Sequence, residues 1–465
     1  MTTPTRSYTH HQMAPHASVT RKAPRSSIAL ATALVLLCGA LASGVRAQQP
    51  GTASGAAITS PVATSEASQS LPALLARVLT RDPQVRVAQS LYDATGQREL
   101  QARSRLSPTV GISATQGSAA EKELSRNIQR RTDRIEATLR WNLYNGGGDV
   151  AEIDASAREV TAAAYDLMRA REEVSERIAN AYAELLRVTQ LLPRSQSRLD
   201  SVRELVRKVL RQNDLGKASD ADAQQALATL LDSEIMHAQL LSEEDGARRR
   251  LSTLAGEPIQ AVLPIALPND PSNDELATPI PGMVEAARER ALAARTRVRP
   301  IAQVLAPRVD FEYSHSLRDQ TSPAVTTERK NGWQVVARWE LPLGGELQAR
   351  RAELDYRAAA AEAEADRILL GVSSELDALA PRIDNARRAV HQLDSQIARY
   401  DILVRAGELQ FEAGRRSLSQ VVQLHDGRFS AQQRRSDLAY QQMAAQIRQL
   451  ALSGKLLAVF DLAQP

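Results

Sequence analysis

Hydrophobic positions along this chain recur with two different periods, in separate blocks. Ile135, Ala137, Leu139, Trp141 and Leu143 alternate with Arg134, Glu136, Thr138, Arg140 and Asn142. Val309, Phe311 and Tyr313 alternate with Asp310, Glu312 and Ser314, while Trp333, Val335, Ala337, Trp339 and Leu341 fill one side of a further segment. A period of two predicts strands with one apolar and one polar face. Strands are expected at about 109–117, 133–143, 308–317 and 333–342. Elsewhere the spacing changes: Leu199, Val202, Val206 and Val209, and again Val390, Leu393, Ile397, Tyr400 and Val404, follow the three-four spacing of a coiled-coil seam. They lie in two Ala/Arg/Glu/Leu-rich stretches, Asp149–Asn213 and Glu346–Ala413, each with one proline (Pro193, Pro381) where a local kink is expected. A single helix over the first stretch would reach roughly 100 Å at about 1.5 Å per residue. Second helices are expected over Ser219–Ala255 and Ser417–Val459, and leading helices over Leu71–Arg105, broken at Asp82-Pro83, and near Met283–Arg297.

The blocks occur twice. "RIEATLRWNLYNGGGD" (134–149) matches "GWQVVARWELPLGGEL" (332–347), with Trp141 on Trp339, Leu143 on Leu341 and Gly146-Gly147 on Gly344-Gly345. "LSPTVGISATQG" (106–117) pairs with "LAPRVDFEYSHS" (305–316). The glycines at the strand-to-helix turns allow a sharp change of direction. Between the paired helices, "LGKASDAD" and "AGRRSLSQ" give Gly216/Ser219/Asp222 and Gly414/Ser417/Gln420. Glycine can end the incoming helix in the left-handed conformation, serine can cap the outgoing one, and Asp222 or Gln420 can close a capping box. The expected organisation is a first repeat over 71–257, a Pro-rich connector over 258–282, a second repeat over 283–460 and a tail at 461–465.

The alternating strands fit a half-buried antiparallel sheet in a soluble domain. They equally fit a membrane barrel with an apolar outside and a polar lumen, for which Trp141, Tyr144, Trp333 and Trp339 would form an interfacial girdle. Four strands cannot close a barrel, because the smallest membrane barrels have about eight, and an open edge in lipid would leave backbone groups unpaired. Strands meeting lipid therefore require an oligomer, and three copies would supply twelve with room for a lumen. Arg134, Glu136, Arg140, Asp310, Glu312 and Arg338 would then line water.

Composition removes several other classes. Arg21, Lys22 and Arg25 precede an apolar run from Ile28 to Leu41 and a small-residue site ending at Ala47, the pattern of a secretory signal peptide over 1–47. An uncleaved anchor is the alternative, disfavoured by the short apolar core, and Met13 is a second candidate start. Residues 48–70 are small, polar and Pro/Gly-interrupted, and read as a flexible lead-in. Residues 1–47 hold five Lys/Arg and no Asp/Glu, so their removal takes the formal net charge from +4 to −1. No basic patch with a recognised module remains to indicate nucleic acid. Cys38, the only cysteine, lies in the same segment after Leu36-Leu37, where a lipid-attachment site wants small residues. Disulfides and thiolate metal sites are thereby excluded. His315, His391 and His425 are isolated, and no nucleophile elbow or phosphate loop is present, so no enzyme, metal or cofactor is expected. "GGGDVA" (146–151) has the spacing of a dinucleotide fingerprint. Its preceding strand alternates, however, where a buried parallel strand would be continuously apolar, and its second copy loses the pattern.

Taken together, the duplicated architecture, "WNLYNGGG" and "WELPLGG", "LSTLAGEP" closing the first half, and the two helix-hairpin turns resemble the TolC-type outer-membrane efflux proteins, from about Leu71 to Leu457. The resemblance implies a mainly α fold with a small β part: a homotrimer with a twelve-stranded barrel in outer-membrane lipid and a long periplasmic helical barrel. It implies a passive duct for efflux or type I secretion, docked at the hairpin tips to a periplasmic adaptor and an inner-membrane ABC or RND pump. At the tips it implies gating and docking roles for Gly216, Ser219, Asp220, Asp222, Gly414, Arg415, Arg416, Ser417, Gln420 and Gln423, with Arg416 at the family's link-forming position. Gln420 and Gln423 stand where acids are usual, and Phe411 where a tyrosine is usual, implying weaker cation selectivity. The missing lipid-attachment cysteine points toward the unlipidated secretion branch. The alternative from another class is a soluble periplasmic coiled-coil scaffold or adaptor, which would explain the heptads and tips but not the paired strands.

Overall fold

The computed structural model describes residues 70–123, 126–265, 267, 281–300, 306–322, 331–340 and 344–462, all within one compact unit, Thr64–Pro465. The expected signal segment, and most of the lead-in, connector and tail, lie outside the described residues. The fold is mainly helical with one small sheet.

Helices α1 (Leu71–Arg81) and α2 (Pro83–Ser104) meet at Asp82, whose carboxylate accepts the N–H groups of Gln84 and Val85 at 2.7 and 3.4 Å. The Asp-Pro pair thus ends one helix and caps the next. Strands β1 (Thr109–Glu123) and β2 (Arg126–Asn145) follow. Both run longer than the alternation predicts, because the sequence beyond 117 and before 133 carries no period-two signal. Next come α3 (Gly148–Asp214), α4 (Asp220–Ala255) and α5 (Gly282–Val298). The second strand pair is β3 (Arg308–Ser322) and β4 (Asn331–Arg338), followed by α6 (Glu346–Glu412), α7 (Leu418–Leu452) and a single turn, α8 (Leu456–Val459).

Two expectations change. β4 ends at Arg338, leaving Trp339 beyond it, and Leu341 lies outside the described residues. The last helix, expected through Val459, stops at Leu452, where Gly454 takes a left-handed φ of 68°. α3 and α6, each 67 residues, run as single helices through Pro193 and Pro381, the positions where a kink is expected.

The sheet is antiparallel throughout, in the order β1-β2-β3-β4, with β1 and β4 as its edges. α3 is the central helix and packs against α2, α4, α5 and α7, while α6 packs against α5 and α7. The largest core lies around the middle of α3, where Val174, Ile178, Tyr182 and Leu185 meet Leu71, Leu74 and Leu75 of α1, Leu251 of α4 and Ile447 of α7. Each such fully buried aliphatic side chain contributes about 1.5–3 kcal/mol of transfer free energy. Tyr182 also donates its hydroxyl to the Leu263 carbonyl at 2.9 Å and accepts the Leu263 N–H at 2.6 Å, pinning the start of the connector to the core. No helix among the described residues is long and apolar enough to cross a membrane.

Candidate functional surfaces: the sheet and the hairpin tips

In an antiparallel ladder, directly opposed residues share a face. Ile112 opposes Ala137, Val110 opposes Leu139, Trp141 opposes Phe311, and Tyr313 opposes Trp333. These residues form one apolar face, and no described element covers its large side chains: Val110 is 73%, Ile112 63% and Trp333 72% exposed. The Trp141 indole N–H is satisfied by the Leu106 carbonyl at 2.8 Å. On the other face Thr109, Arg140, Glu312 and Gln334 form one row across four strands. The Arg140 guanidinium lies 3.3 Å from Glu312, to which Gln334 also donates at 2.9 Å. Arg134, Glu136 and Arg338 occupy the same face by register.

Two details depart from simple alternation. Register shifts leave Leu143 as the extra residue of a bulge, so Tyr144 rather than Leu143 opposes Val309. A bulge reverses the parity of the strand beyond it, which sequence periodicity cannot reveal. Asp310, expected to line water, is 4% exposed and held by Arg308 at 3.2 Å.

At the strand-to-helix turns, Gly146, Gly147 and Gly345 take φ of 57°, 76° and 79°. Gly147 and Gly345 are the N-caps of α3 and α6, in a left-handed conformation that L-residues with a Cβ adopt at a cost of about 1–2 kcal/mol. Gly344 precedes the second cap and is not among the positive-φ glycines.

The two long helices end identically. Gly216 and Gly414 have φ of 69° and 67°. Lys217 N–H donates to the Gln212 carbonyl and Gly216 N–H to Asn213, as Arg415 does to Gln410 and Gly414 to Phe411. This is a Schellman motif at both tips. At the first, Ser219 and Asp222 form a reciprocal capping box, with Asp222 N–H to Ser219 Oγ at 3.1 Å and Ser219 N–H to Asp222 Oδ2 at 3.3 Å. Asn213 donates to Asp220 at 3.0 Å, so both tip acids are bound inside their own hairpin. At the second, Ser417 N–H donates to Gln420 at 3.4 Å, and the Ser417 hydroxyl lies 3.1 Å from that of Ser419. Arg416 turns back along its own hairpin, with Nη1 3.5 Å from Gln410 Oε1. Arg415 and Gln423 are exposed. Phe411 packs beside Val202, Val206 and Val421 in a small core behind the tips.

Charged contacts that periodicity did not single out tie the helices together. Lys208 on α3 reaches Glu412 on α6 at 2.6 Å and Glu204 at 3.2 Å, and these carboxylates hold its ammonium above the usual lysine range. Three pairs join α3 to α7: Glu176–Arg448 at 2.9 Å, Arg187–Asp437 at 2.9 Å and Arg198–Asp426 at 2.6 Å. Buried His425 meets Glu408 across α6 and α7 at 3.0 Å, and its burial pushes the imidazole below the ordinary histidine range. Among the described residues no cluster of acidic, histidine or cysteine side chains could hold a metal.

Residues 74–257 match the family model described as outer membrane efflux protein. No curated protein sequence matches. Among solved structures, the outer membrane protein VceC of Vibrio cholerae is similar with a TM-score of 0.73 at 17% identity, over 83% of this chain and 96% of that one. The CmeC outer membrane channel of Campylobacter jejuni scores 0.71 at 12% identity, over 85% and 87%. The open-state MtrE outer membrane channel of Neisseria gonorrhoeae scores 0.69 at 15% identity, over 83% and 89%. The resemblance read from the sequence therefore holds: the chain matches the outer membrane efflux protein family over residues 74–257, and its fold is that of the TolC-type outer-membrane channels.

Proposed function

We propose that this chain is one subunit of a homotrimeric exit duct in the outer membrane of a Gram-negative bacterium. Three four-stranded sheets pool into a twelve-stranded barrel, and the long helices continue it through the periplasm. The observation that carries this reading is the sheet itself. Its large apolar side chains are uncovered, its other face bears Arg140, Glu312 and Gln334, and its two edges are open. In water that face exposes Val110, Ile112 and Trp333 at no gain. In lipid it is matched, but the edges must then pair with neighbouring copies. The hairpin tips lie one long helix away, roughly 100 Å from the strands. We assign them to docking on a periplasmic adaptor and, through it, on an inner-membrane ABC or RND pump. The duct is passive, and the pump supplies the energy.

The native mass of the protein extracted from outer membranes in detergent tests this reading. A complex of three chains is expected. A monomer recovered from the soluble periplasm would overturn the barrel and leave a helical scaffold as the better account.

A further inference from the structure

In the half of the chain nearest the tips, α4 packs on α3, α3 on α7 and α7 on α6, so α4 and α6 are the outermost helices. Both turn an apolar stripe outward. Leu231 and Ile235 of α4 stand two residues either side of the buried Ser233, and two residues are about 200° around a helix. On α6, Ile402 stands two residues before the buried Val404, and Leu409 two after the buried Gly407. These four side chains are 58%, 48%, 63% and 68% exposed. Among the described residues, neither α7 nor α3 beyond Tyr182 carries an exposed large hydrophobic side chain.

The two stripes stand at the same level. Ser195 and Arg203 of α3 meet His237 and Glu234 of α4 at 3.2 and 3.1 Å. Between them Arg198 pairs with Asp426 of α7 at 2.6 Å, and Arg428, two residues on, reaches Asp401 of α6 at 3.6 Å. Residues 234–237 of α4 and Asp401 of α6 are therefore level to within about one turn. α4 runs away from its tip and α6 toward its own, so Ile235 is matched by Ile402, Asp232 by Arg405 and Leu231 by Leu409. Asp232 and Arg405 are exposed, and among the described residues neither has an ion-pair partner. Arg405 Nε donates to the Asp401 carbonyl at 3.1 Å, which leaves its charge unanswered.

Contiguous apolar surface of this kind marks an interaction site, and here its complement in shape, level and charge is the other edge of the same chain. We infer that α6 of one copy packs along α4 of the next, Ile402 and Leu409 on Ile235 and Leu231, with Arg405 paired to Asp232. This rests on the ring of copies proposed above and adds to it a helical contact, separate from the strand edges. The two surfaces differ, so the contact is head-to-tail, and rotation of successive copies closes it.

The test replaces Cys38, the only cysteine, by alanine and introduces Ile235→Cys and Ile402→Cys singly and together. Outer membranes holding the full chain are oxidised with copper–phenanthroline and read by non-reducing electrophoresis. Within one chain α3 and α7 stand between the two positions, at about 8–10 Å per helix contact, beyond the ~7 Å that a disulfide spans between Cα atoms. Covalent dimers and trimers are expected from the double variant, and monomer alone from each single variant. Adding Arg405→Asp should cut the cross-linked fraction at least threefold, and adding Asp232→Arg as well should restore it. Monomer alone from the double variant, in a protein whose native mass is three chains, would overturn this contact and leave the trimer standing. A native mass of one chain would remove both. Cross-links in a single variant, or an unchanged yield with Arg405→Asp, would also overturn the contact as assigned. If the double variant is not recovered in the membrane, Asp232→Cys with Arg405→Cys takes its place, with the same outcomes.

Discussion

Single residues carry the sharpest consequences. Burial raises the Glu172 carboxyl to about 7, against the opposing pull of the Leu457 and Leu456 N–H groups and Arg171. Glu176 on its own helix adds to the rise. The folded chain thus holds this proton more tightly than the unfolded chain does. The resulting stability is fully present below the ordinary carboxylate range, and it is lost as pH rises through 7. Glu172→Gln removes that loss. Relative to the parent, it should gain on the order of 2–3 kcal/mol between pH 5 and pH 8, because each tenfold difference in proton affinity between the folded and unfolded chain is worth about 1.4 kcal/mol. Thermal unfolding of both proteins at the two pH values measures it, and parallel responses would contradict the assignment. Gly414 offers a second test. Its φ of 67° is needed for the Arg415 N–H to reach Gln410. Gly414→Ala should cost about 1 kcal/mol locally and speed exchange of the Arg415 amide roughly fivefold. Gly414→Asn should cost less, because asparagine tolerates the left-handed region; equal effects would count against this account.

At the scale of elements, the α3–α7 contact has its own rule. Glu176, Arg187 and Arg198 are spaced by eleven residues on α3, and their partners Arg448, Asp437 and Asp426 by eleven in the opposite sense on α7. Eleven residues are three turns at 3.67 per turn, so each rung returns to the same side of a nearly straight helix. The apolar seam of Leu199, Val202, Val206 and Val209 is buried within the chain, whereas Val390, Leu393, Ile397 and Tyr400 are only half-buried. Arg187→Glu should place its carboxylate beside both Asp437 and Glu243 and destabilise the contact by about 1–2 kcal/mol. Arg187→Glu with Asp437→Arg should recover most of it, because residues in contact do not act additively. A double-mutant cycle by thermal unfolding checks this, and the absence of recovery would mean that the rung is incidental. Neither the spacing nor the partners stand out in the sequence, because charged residues recur throughout α3 and which helix lies opposite is a matter of tertiary packing.

For the whole molecule, the decisive prediction tests which face of the sheet meets lipid. Ile112 and Ser113 are neighbours on β1 and point to opposite faces. Ile112→Arg should disfavour insertion by about 2–4 kcal/mol per chain if it lies near the bilayer midplane, and should deplete the protein from the outer-membrane fraction. Ser113→Arg should leave that fraction nearly unchanged. Equal depletion by both would sink the assignment of faces.

Local chemistry was readable from the residues themselves. The 67-residue helices, the Asp82-Pro83 break, the glycine-ended tips and the two-faced strands follow from periodicity, capping side chains and left-handed glycines, all of which act over a few residues. The glycines closing each half, Gly256 and Gly454, both take a left-handed φ, 69° and 68°, although only the first lies in a motif that the sequence singles out. Other features needed the folded chain. The bulge that passes the apolar row from Leu143 to Tyr144 depends on the partner strand. The three rungs to α7 and the burial of Glu172 against Leu457 each depend on groups hundreds of residues away. Periodicity reports which face of an element is apolar; only packing decides what that face meets, because contacts between distant segments leave no periodic mark on either one.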